Sequence, residues 1–576
     1  MRKRSKPFIS IEPFETKEHS GIFKTMQIQS KQNKSLGWWT KGDFSPEAGD
    51  NAIKAAIADV AHPVYLVNKD DLLAVAKDGT ATIGDVIPSI QSEKSSGYPL
   101  YAYAPPMLPE NLGDQYFKKS YNLRYPYVVG AMANGITSVK MVEEAGRSGM
   151  IGFFGSAGLN LDEIESAIVR LKETLTDSPF GFNLIHSPND PELEAAVVDL
   201  YLKRSVNLVS ASAYLDLTLP LVYFRIKGVH RDSSGNIVCP NKIIAKVSRI
   251  EVARKFFSPP TDKFLSQLVE QKMITQQEAA LAESIPMACD LTAEADSGGH
   301  TDNRPAITML PTLLALRDEM ADKYKYQNPI SVGLAGGIAT PESAAAAFAM
   351  GAAYILTGSV NQSCVEAGTS DVVRQLLAEA RQADVTMAPA ADMFEMGVKV
   401  QVLKRGTMFP FRAAKLYDLY STYDSLDSIP GKEKEILEKD FFRSTFDQTW
   451  QQTKTFFSTI DPKQIIRAEK DPKHKMALVF RSYLGLSSNW ANSGEPSRKI
   501  DFQIWCGPAM GAFNQWVKGS FLEKPENRKT VTVAMNLLVG ACVITRANLL
   551  KSQGIPLGPD IGKFSPMELS EITSFV

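Results

Sequence analysis

The 576-residue sequence has few features that would tie it to a nucleic acid, a secretory route or a disulfide-stabilised fold. Its 63 Lys and Arg residues nearly balance its 64 Asp and Glu residues, so no broad basic surface for nucleic acid is expected. Its five cysteines lie far apart, without the paired spacing of a zinc site or a disulfide framework. The basic start, MRKRSKPFIS, lacks the apolar stretch of a secretory signal. We therefore expect a reduced, cytoplasmic protein without a metal site.

Two further absences concern membranes and cofactors. The longest late apolar run, Val531 to Ile544, is too short to span a bilayer and is typical of a buried helix, so no membrane partner is expected. The glycines of GFFGSAG, Gly152 to Gly158, lack the G-x-G-x-x-G spacing of a dinucleotide-binding turn. No acidic residue follows a second strand at the required distance either. The sequence therefore predicts no separate dinucleotide-binding domain, and a nicotinamide would have to bind elsewhere.

The chain is long enough for two or three domains, and its pattern divides it into four parts. These are a polar, irregular arm, a small α/β unit, a region of alternating strands and helices, and a mostly helical region, at residues 1–40, 41–115, 116–387 and 388–576. In the small unit, a first helix precedes a strand at Pro63 to Val67, and a second helix is predicted near Asp70 to Lys77. The C-terminal helices suit either dimerisation, which would make a homodimer, or docking of a partner.

Eight short apolar runs recur between residues 120 and 385, and most are followed by glycine or a small polar residue and then by a helical pattern. They are YPYVVGAM, MIGFFGS, FGFNLIH, VNLVSASA, KIIAKVS, MACDLTAE, PISVGLAG and AAYILTGS. Alternating strands and helices predict a parallel sheet with right-handed crossovers, and eight strands favour a closed (β/α)8 TIM barrel. A doubly wound open sheet is the alternative on pattern alone.

Two insertions interrupt the alternation of strands and helices. Residues 221–242 predict a hairpin that turns at Ser234 and Gly235, and residues 258–285 predict a pair of helices. We expect both at the carboxyl ends of the strands, where barrel enzymes place their active sites. There they would form a lid or a partner surface; ordinary loop variation is the alternative.

The strongest local signal is a pair of strand-to-helix turns near the end of the predicted barrel. Gly336 and Gly337 follow one strand, and Thr340 is placed to cap the next helix. Gly358 and Ser359 follow the next strand and offer a further amide and a hydroxyl. Free N–H groups at helix starts bind anions, and barrels commonly hold phosphate after strands seven and eight. A phosphorylated cofactor or substrate is predicted; two turns without a ligand are the alternative.

Two predicted strands carry a polar residue among apolar ones. Asn183 lies in FGFNLIH and Lys246 in IIAKVSR. A buried ammonium is costly, so Lys246 needs a carboxylate or an electron-rich ligand, such as the N1/O2 edge of a flavin. Asn183 can bind the donor and acceptor edge of the same ring. With the phosphate site, these residues favour flavin mononucleotide (FMN) across the barrel mouth; strand-end residues that face water are the alternative.

The first predicted strand ends in small residues, among them Ala131, Met132 and Ala133. A flat ring can lie against this backbone, with the amides of Met132 or Ala133 near flavin N5; a plain turn is the alternative. A second candidate segment is EADSGGHTDNRP, in which Gly298 and Gly299 precede His300. Adjacent glycines let a ligand approach the backbone, and a histidine can move a proton near neutral pH.

Four motifs together resemble one family. In chain order they are PFGFNLIHSP, CPNKIIAKVSRIEVARKFF, EADSGGHTDNRP and GLAGGIATPESAAAAFAMGAAYILTGSVNQ. They are similar to the trans-acting enoyl reductases of polyunsaturated fatty acid and polyketide synthases (the PfaD family), which are relatives of the nitronate monooxygenases. The resemblance implies a TIM barrel, FMN, a hydride from NADPH or NADH, and enoyl thioester substrates on an acyl carrier protein.

The resemblance also implies roles for particular residues. Gly336, Gly337, Gly358 and Ser359 would hold the FMN phosphate, whereas Asn183, Lys246 and the backbone of Ala131 to Ala133 would face the ring. Gly298 and Gly299 would let the loop close on the flavin. His300 would occupy the position of the catalytic histidine, as proton donor or as a group that polarises the thioester carbonyl; a structural histidine is the alternative.

Asp302 departs from the nitronate monooxygenase pattern, which usually has a small residue at this position. The departure favours the synthase reductases and puts direct transfer of the histidine's role in doubt. A nitronate monooxygenase that uses the same flavin, O2 and His300 as a base is the second functional hypothesis. A flavin-bearing synthase subunit without catalytic activity is the third.

Overall fold

The computed structural model describes residues 35–84, 97–188 and 190–573, so most of the predicted N-terminal arm lies outside the described residues. The chain forms two compact units. The smaller one contains the described residues up to Ile57, residues 62–105 and residues 549–561. The larger one contains residues 58–61, residues 106–548 and the described residues from Gly562 onward.

The smaller unit is built on a six-stranded antiparallel sheet with strand order β2-β4-β3-β6-β1-β5. Its elements are β1 (Gly37–Thr40), β2 (Glu47–Ala48), helix α1 (Asp50–Ala58), β3 (Val64–Lys69), β4 (Leu72–Ala76), β5 (Thr80–Ile83) and β6 (Tyr98–Ala104). The sheet buries Trp39, Val67, Ala74 and Leu100 against one another, and Trp39 has no solvent exposure.

Two expectations for this region were wrong. The predicted arm ends earlier than residue 40, because Trp38 and Trp39 lie in β1, where aromatic side chains favour a strand. The segment predicted as a helix near residues 70–77 instead contains a turn and strand β4 (Leu72–Ala76). Asp70 and Asp71 both have positive φ (53° and 60°), which is the geometry of a tight hairpin turn, and so they return the chain antiparallel to β3.

The larger unit contains the predicted barrel, which is closed in the order β10-β13-β14-β16-β17-β7-β8-β9. Its elements as far as residue 378 are α2 (Gln115–Ser120), β7 (Tyr127–Val129), α3 (Val139–Arg147), β8 (Ile151–Phe154), α4 (Leu161–Thr174), β9 (Phe180–Ile185), α5 (Pro191–Lys203), β10 (Leu208–Ser212), α6 (Leu219–Ile226), β11 (His230–Arg231), β12 (Ile237–Val238), β13 (Lys242–Val247), α7 (Ile250–Phe257), α8 (Asp262–Glu270), α9 (Gln276–Ala282), β14 (Asp290–Glu294), β15 (Gly299–His300), α10 (Ala306–Tyr324), β16 (Ser331–Ala335), α11 (Pro341–Ala349), β17 (Ile355–Thr357), α12 (Ser359–Gln362) and α13 (Asp371–Ala378).

All eight predicted strands lie in the barrel wall, so the closed barrel is confirmed over the open sheet. Its interior is filled by apolar side chains from different strands, among them Phe153, Ile244 and Leu356. At the amino end, Phe117 of α2 stacks on Tyr354, with ring centroids 4.1 Å apart. The interior is therefore a packed core at this end, and a ligand must bind at the carboxyl end.

The hairpin and the helical pair form as predicted, but their expected position was wrong. β11 and β12 follow helix α6, and α8 and α9 follow α7. Each crossover helix has already returned the chain to the amino end of the barrel. The two insertions contact each other there, since Gly228 N–H donates to Glu278 Oε1 (2.6 Å) and Lys227 Nζ to the Met273 carbonyl (2.6 Å). Neither insertion is a lid over the carboxyl end.

The chain after residue 384 belongs largely to the same compact unit as the barrel. Its elements are β18 (Val385–Pro389), β19 (Lys399–Leu403), α14 (Phe409–Thr422), α15 (Gly431–Ile436), a π-helical segment (Leu437–Phe442), α16 (Phe446–Ile460), α17 (Pro462–Lys470), α18 (Pro472–Ser493), α19 (Ala509–Val517), α20 (Thr530–Ser552) and α21 (Leu569–Ile572). Short 3-10 turns lie at Pro109–Asn111, Gln382–Asp384, Phe394–Met396, Pro496–Asp501, Phe521–Glu523 and Pro525–Asn527. Strand β19 pairs with both β15 and β18, which gives a three-stranded antiparallel sheet.

Helix α20 contains the late apolar run and, with 23 residues, is longer than the run itself. Among the described residues it is the one helix with both the length and the composition for a membrane span. However, 78% of its most apolar 18-residue window is buried inside the protein. A helix in the core of a protein has the same length, composition and burial.

Candidate functional site

The candidate site lies at the carboxyl ends of the barrel strands. Neighbouring strands are in register there, with Ser210 beside Asn183 and Ile244, and Lys246 beside Thr292. Because Ile244 belongs to the interior cluster, the side chains of Asn183 and Lys246 also point into the barrel. The two polar residues predicted from the sequence therefore belong to one layer at the barrel mouth.

Two turns provide free backbone donors after β16 and β17. In the described chain, no acceptor lies within hydrogen-bond distance of the N–H groups that follow these strands, those of Gly336, Gly337, Ile338, Gly358, Ser359 and Val360. A Cβ added to Gly337 or Gly358 would meet no atom within 4 Å. Thr340 caps α11 as predicted, because its side chain accepts from Ser343 N–H (3.3 Å). The turns thus form an open cradle of amides that suits a phosphate.

The two diglycine turns lie against each other. Gly336 has φ of +82°, and a Cβ on it would come within 2.6 Å of the carbonyl carbon of Ala295 and 2.8 Å of the Asp296 oxygen. The turn at Gly336 and Gly337 and the segment that leads to His300 are therefore at the same end of the barrel. Only glycine permits both this conformation and this close approach.

The loop after β7 offers one of the two amides predicted to face a ring. Met132 N–H donates to Thr137 Oγ1 (2.9 Å), so this amide is already used. Ala133 N–H has no acceptor within the described chain. Ala131, Met132 and Ala133 are all half-buried, and Asn134 behind them has positive φ (57°). Of the two, Ala133 is the amide that remains available to a ligand.

Asn183 is held in place by its neighbours but keeps one free donor. Its Oδ1 accepts from Ser212 Oγ (2.9 Å), and its backbone carbonyl accepts from Ser156 (2.8 Å) and Tyr201 (2.7 Å). Its Nδ2 makes no hydrogen bond to the described chain, although the residue is only 6% exposed. Buried amides are rarely left half-satisfied, so Nδ2 is placed to bind a ligand acceptor.

Lys246 has the carboxylate partner that its position requires. Its Nζ lies 2.8 Å from Glu294 Oε1, and both side chains are mostly buried. Glu294 Oε1 also accepts from Ser297 Oγ (3.2 Å). The ion pair satisfies the Lys246 ammonium at the barrel mouth, as a buried cation requires.

His300 lies in β15, where it pairs with Val400 of β19. The carboxylate of Asp392, in the loop between β18 and β19, is 3.1 Å from His300 Nε2. Nδ1 of the ring has no acceptor in the described chain, and about a third of the side chain (31%) is exposed. A residue more than ninety positions away thus orients the imidazole, and Nδ1 remains available to a ligand.

The charges around this pair favour an imidazolium next to a carboxylate. Burial alone would lower the pKa of His300, but the hydrogen bond and the charge of Asp392 and the charge of Glu294 outweigh it, against opposition from Lys246, and hold the pKa above its ordinary value. Burial acts to raise the pKa of Asp392, but His300 and then Arg481 bring it below its ordinary value. Such a histidine can donate a proton at neutral pH.

Asp302 holds the segment after His300 in place. It accepts from Ser248 Oγ (2.6 Å) and, with both carboxylate oxygens, from Arg249 (2.9 Å each). The Arg249 hydrogen bond, together with that of Ser248, lowers the pKa of Asp302 to about 2. Asp302, where the sequence departs from the nitronate monooxygenase pattern, therefore links the segment after His300 to the end of β13.

Gly298 does not face the open side of the site. A Cβ on it would come within 3.0 Å of the Cys506 backbone, whereas one on Gly299, with φ of +80°, would meet no atom within 4 Å. Gly507 N–H, next to Cys506, donates to Ser359 Oγ (3.0 Å). The segment around Cys506 therefore joins the His300 loop to the phosphate cradle. Cys506 itself is fully buried, and burial raises the pKa of its thiol to about 12, so it is no nucleophile.

Sequence reasoning missed three residues that hold this site together: Asp392, Glu294 and Gln401. Gln401 Nε2 donates to Asp296 Oδ1 (2.8 Å) and to the Ser297 carbonyl (2.8 Å). Glu294 could have been found from the sequence, because it is a carboxylate at the end of an apolar strand. In the structure it lies two positions beyond the residue of β14 that pairs with Lys246. Asp392 and Gln401 carried none, since they are close to His300 only through the pairing of β15 with β19.

Comparison with known protein families agrees with this architecture. Residues 116–419, which include the barrel, β18 and β19, match the nitronate monooxygenase family. Residues 423–502 match the inserted helical domain of [acyl-carrier-protein] S-malonyltransferase. The first match covers every predicted site residue and Asp392.

Two curated relatives are 45% and 47% identical to the chain. A polyunsaturated fatty acid synthase component of Thraustochytrium sp. is 45% identical over 449 residues, which are 77% of this chain and 30% of that protein. Polyketide biosynthesis protein PksE of Bacillus subtilis is 47% identical over 436 residues, which are 76% of this chain and 56% of that protein. The chain thus spans between about a third and a little over half of the length of these relatives.

One solved structure is similar along its whole length. It is the enoyl reductase domain of MlnA from the macrolactin biosynthesis cluster of Bacillus amyloliquefaciens, with a TM-score of 0.72 and 42% sequence identity. The match covers 77% of this chain and 99% of that domain. The chain therefore belongs to the nitronate monooxygenase family, and within it to the group of the enoyl reductases of polyunsaturated fatty acid and polyketide synthases.

Proposed function

We propose that the protein is an FMN-dependent enoyl reductase that uses NADPH or NADH to reduce the 2,3-double bond of enoyl thioesters on an acyl carrier protein. Membership of the family implies a flavin. The observation that carries the proposal is the set of unsatisfied donors at one end of the barrel. Six backbone amides, Ala133 N–H, Asn183 Nδ2 and His300 Nδ1 lie there without acceptors in the described chain.

This set fits FMN. The amides around Gly337 and Gly358 suit its phosphate, and the added-Cβ positions of both glycines are empty. Asn183 Nδ2 and the Lys246 ammonium, which is paired with Glu294, suit the carbonyl and nitrogen edge of the ring. Ala133 N–H suits a ring nitrogen at the other side of the mouth. The bound flavin would supply hydride transfer from NAD(P)H to the β-carbon of the substrate.

His300 would supply the proton for the α-carbon. Asp392 fixes Nε2, so the proton to be transferred is the one on Nδ1. The hydrogen bond and charge of Asp392 act to raise the pKa of His300, which favours the protonated ring, and the carboxylate orients it. The same Nδ1–H can donate a hydrogen bond to the thioester carbonyl as negative charge develops there.

A nitronate monooxygenase is the second candidate, favoured by the family match over residues 116–419. In that reaction His300 would accept a proton as a base, and Asp392 would stabilise the imidazolium that forms. The enoyl reductase is preferred because the solved structure that is 42% identical to 77% of this chain is an enoyl reductase domain. A flavin-bearing synthase subunit without activity is the third candidate. The cytoplasmic location and the homodimer stay predictions.

The test uses the purified protein under argon. We expect a flavin spectrum that bleaches with NADPH or NADH and recovers when a crotonyl thioester is added. Turnover of an alkyl nitronate with O2, without any re-oxidation by the thioester, would favour the oxygenase instead. A protein that binds FMN but reacts with neither substrate would favour the non-catalytic subunit, and a protein that takes up no flavin would refute all three.

A further inference from the structure

An exposed apolar surface lies where β19 leads into α14. The side chains of Met408, Phe411 and Ile500 are 43%, 59% and 42% exposed. Met408 N–H donates to the Ile500 carbonyl (2.8 Å), which places the start of α14 beside the turn at Pro496–Asp501. Met408 and Phe411 are three positions apart at the first turn of α14, so they share one side of it. Apolar side chains grouped on a surface in this way are typical of a contact with another molecule.

The charge around these side chains is mainly positive. The carboxylate of Asp501, which has no solvent exposure, is shared by three arginines: Arg412, Arg443 and Arg498. Lys404 and Lys499 are exposed, and their ammonium groups form no ion pair with the described residues. Arg405 also lies there, and three further carboxylates, Glu379, Asp384 and Glu495, lie beside these cations. The six cations still outnumber the four carboxylates around the apolar centre. Such a surface complements an acidic partner better than it complements a second copy of itself.

This surface is connected to the candidate site by strand β19. Val400 of β19 pairs with His300, and the strand continues from there to Leu403. Lys404 follows directly, about 13 Å from Val400 at ~3.3 Å per residue. A partner bound at Lys404 would therefore lie within reach of the barrel mouth for a flexible arm that carries a thioester.

We infer that Lys404, Met408, Phe411, Lys499 and Ile500 form a docking patch for an acidic acyl carrier protein. The inference rests on the proposed function, which requires a carrier-bound substrate. The carrier's acidic surface would pair with Lys404 and Lys499, and its apolar residues would cover Met408, Phe411 and Ile500. The thioester arm would then enter the site along the side that β19 borders.

The experiment compares two substrates in the full-length, flavin-loaded protein. One is crotonyl thioester on a bacterial fatty-acid acyl carrier protein, and the other is crotonyl-N-acetylcysteamine. The double variant Lys404→Glu/Lys499→Glu is expected to raise KM for the carrier substrate by about tenfold and to leave KM for the small thioester unchanged. In the parent, added salt should weaken only the reaction with the carrier substrate. Phe411→Ser should also raise KM for the carrier substrate, although it does not change the charge of the surface.

The matched control is Lys263→Glu/Lys272→Glu, two exposed lysines of the insertion at the amino end of the barrel. It should behave as the parent with both substrates. Equal KM changes for both substrates in the patch variant, or a parent that uses the carrier substrate no better than the small thioester, would overturn the inference. So would a dimeric parent that becomes monomeric in the patch variant by light scattering. If neither thioester is reduced, the proposed function fails, whereas the docking patch is still tested by calorimetric titration of parent and variant with the carrier protein.

Discussion

The two ends of the barrel both contain buried polar groups, but they differ in how these groups are satisfied. At the amino end, Arg225 is 3% exposed and donates to the Pro286 and Asn241 carbonyls (3.1 and 2.7 Å) and to Cys239. Asp290 accepts from Tyr121 (2.5 Å) and from Ser331 N–H (2.9 Å), and burial raises the pKa of its carboxyl to about 6. At the carboxyl end, Asn183 and the cradle amides lack acceptors in the described chain.

Whether a buried polar group has a hydrogen-bond partner in the chain therefore distinguishes structural residues from functional ones better than its burial or a shifted pKa does. A perturbed titratable group can belong to either end, as Asp290 and His300 show. A buried donor without an acceptor costs free energy in the folded chain, so it is expected mainly where a ligand will satisfy it. Substitutions at the carboxyl end should therefore change chemistry or cofactor binding, and those at the amino end should change stability.

The largest effect is expected from His300→Ala at the carboxyl end. Loss of the proton donor should slow re-oxidation of the reduced enzyme by a crotonyl thioester by about a thousandfold. Reduction by NADPH should change little, because that step needs no proton from this residue. Stopped-flow flavin absorbance measures the two half-reactions separately. His230→Ala, at an exposed histidine of β11, is the control; equal re-oxidation rates in both variants would exclude His300 from the chemistry.

At the amino end, Arg225→Met should destabilise the fold by about 3 kcal/mol, because it leaves buried carbonyl groups without a donor. The flavin content of the protein that remains folded should equal that of the parent. Urea unfolding and the visible spectrum measure the two quantities. The control is Arg231→Met, on the exposed side of the neighbouring hairpin. If Arg225→Met lost flavin without losing stability, the distinction between the two ends would fail.

Gly358→Leu should affect cofactor binding without affecting the fold. Gly358 has a negative φ (−127°), and a Cβ there would meet no protein atom within 4 Å. A leucine side chain would fill the phosphate cradle and weaken FMN binding by about a hundredfold, while the melting temperature of the flavin-free protein stays constant. Gly431→Leu, at an exposed position with the same open space, is the control. Full flavin content in Gly358→Leu would place the phosphate elsewhere.

The sequence was sufficient for the barrel and for the residues that carry local patterns. Each strand is a short apolar run, and the cradle follows from glycines at two successive strand ends. It was not sufficient for Asp392 or Gln401, because their contact with the His300 loop depends on long-range strand pairing that no local pattern records. The positions of the two insertions were predicted wrongly for a related reason. The sequence of a hairpin does not show whether it follows a crossover helix or a strand. Asp70 and Asp71 were assigned to a helix because their turn geometry appears only in the backbone.

The smallest effect expected at the carboxyl end, and the one most specific to mechanism, is that of Asp392→Asn. The charged groups that act on His300 are Asp392, Glu294 and Lys246, and Arg481 acts on Asp392. With Asp392 intact, the pKa of His300 is raised, so re-oxidation should be fast below this pKa and should slow as pH rises through it. Without the carboxylate charge the pKa falls, and the decline should begin at lower pH.

The rates of parent and Asp392→Asn should therefore be similar at pH 6 and differ by about tenfold above pH 8. Stopped-flow re-oxidation by a crotonyl thioester between pH 5.5 and 9 measures both profiles, with Asp322→Asn, at an exposed carboxylate of α10, as the control. A loss by the same factor at every pH would mean that Asp392 only positions the ring. Re-oxidation that becomes faster as pH rises through this pKa would mean that His300 acts as a base, which would contradict its proposed role as the proton donor.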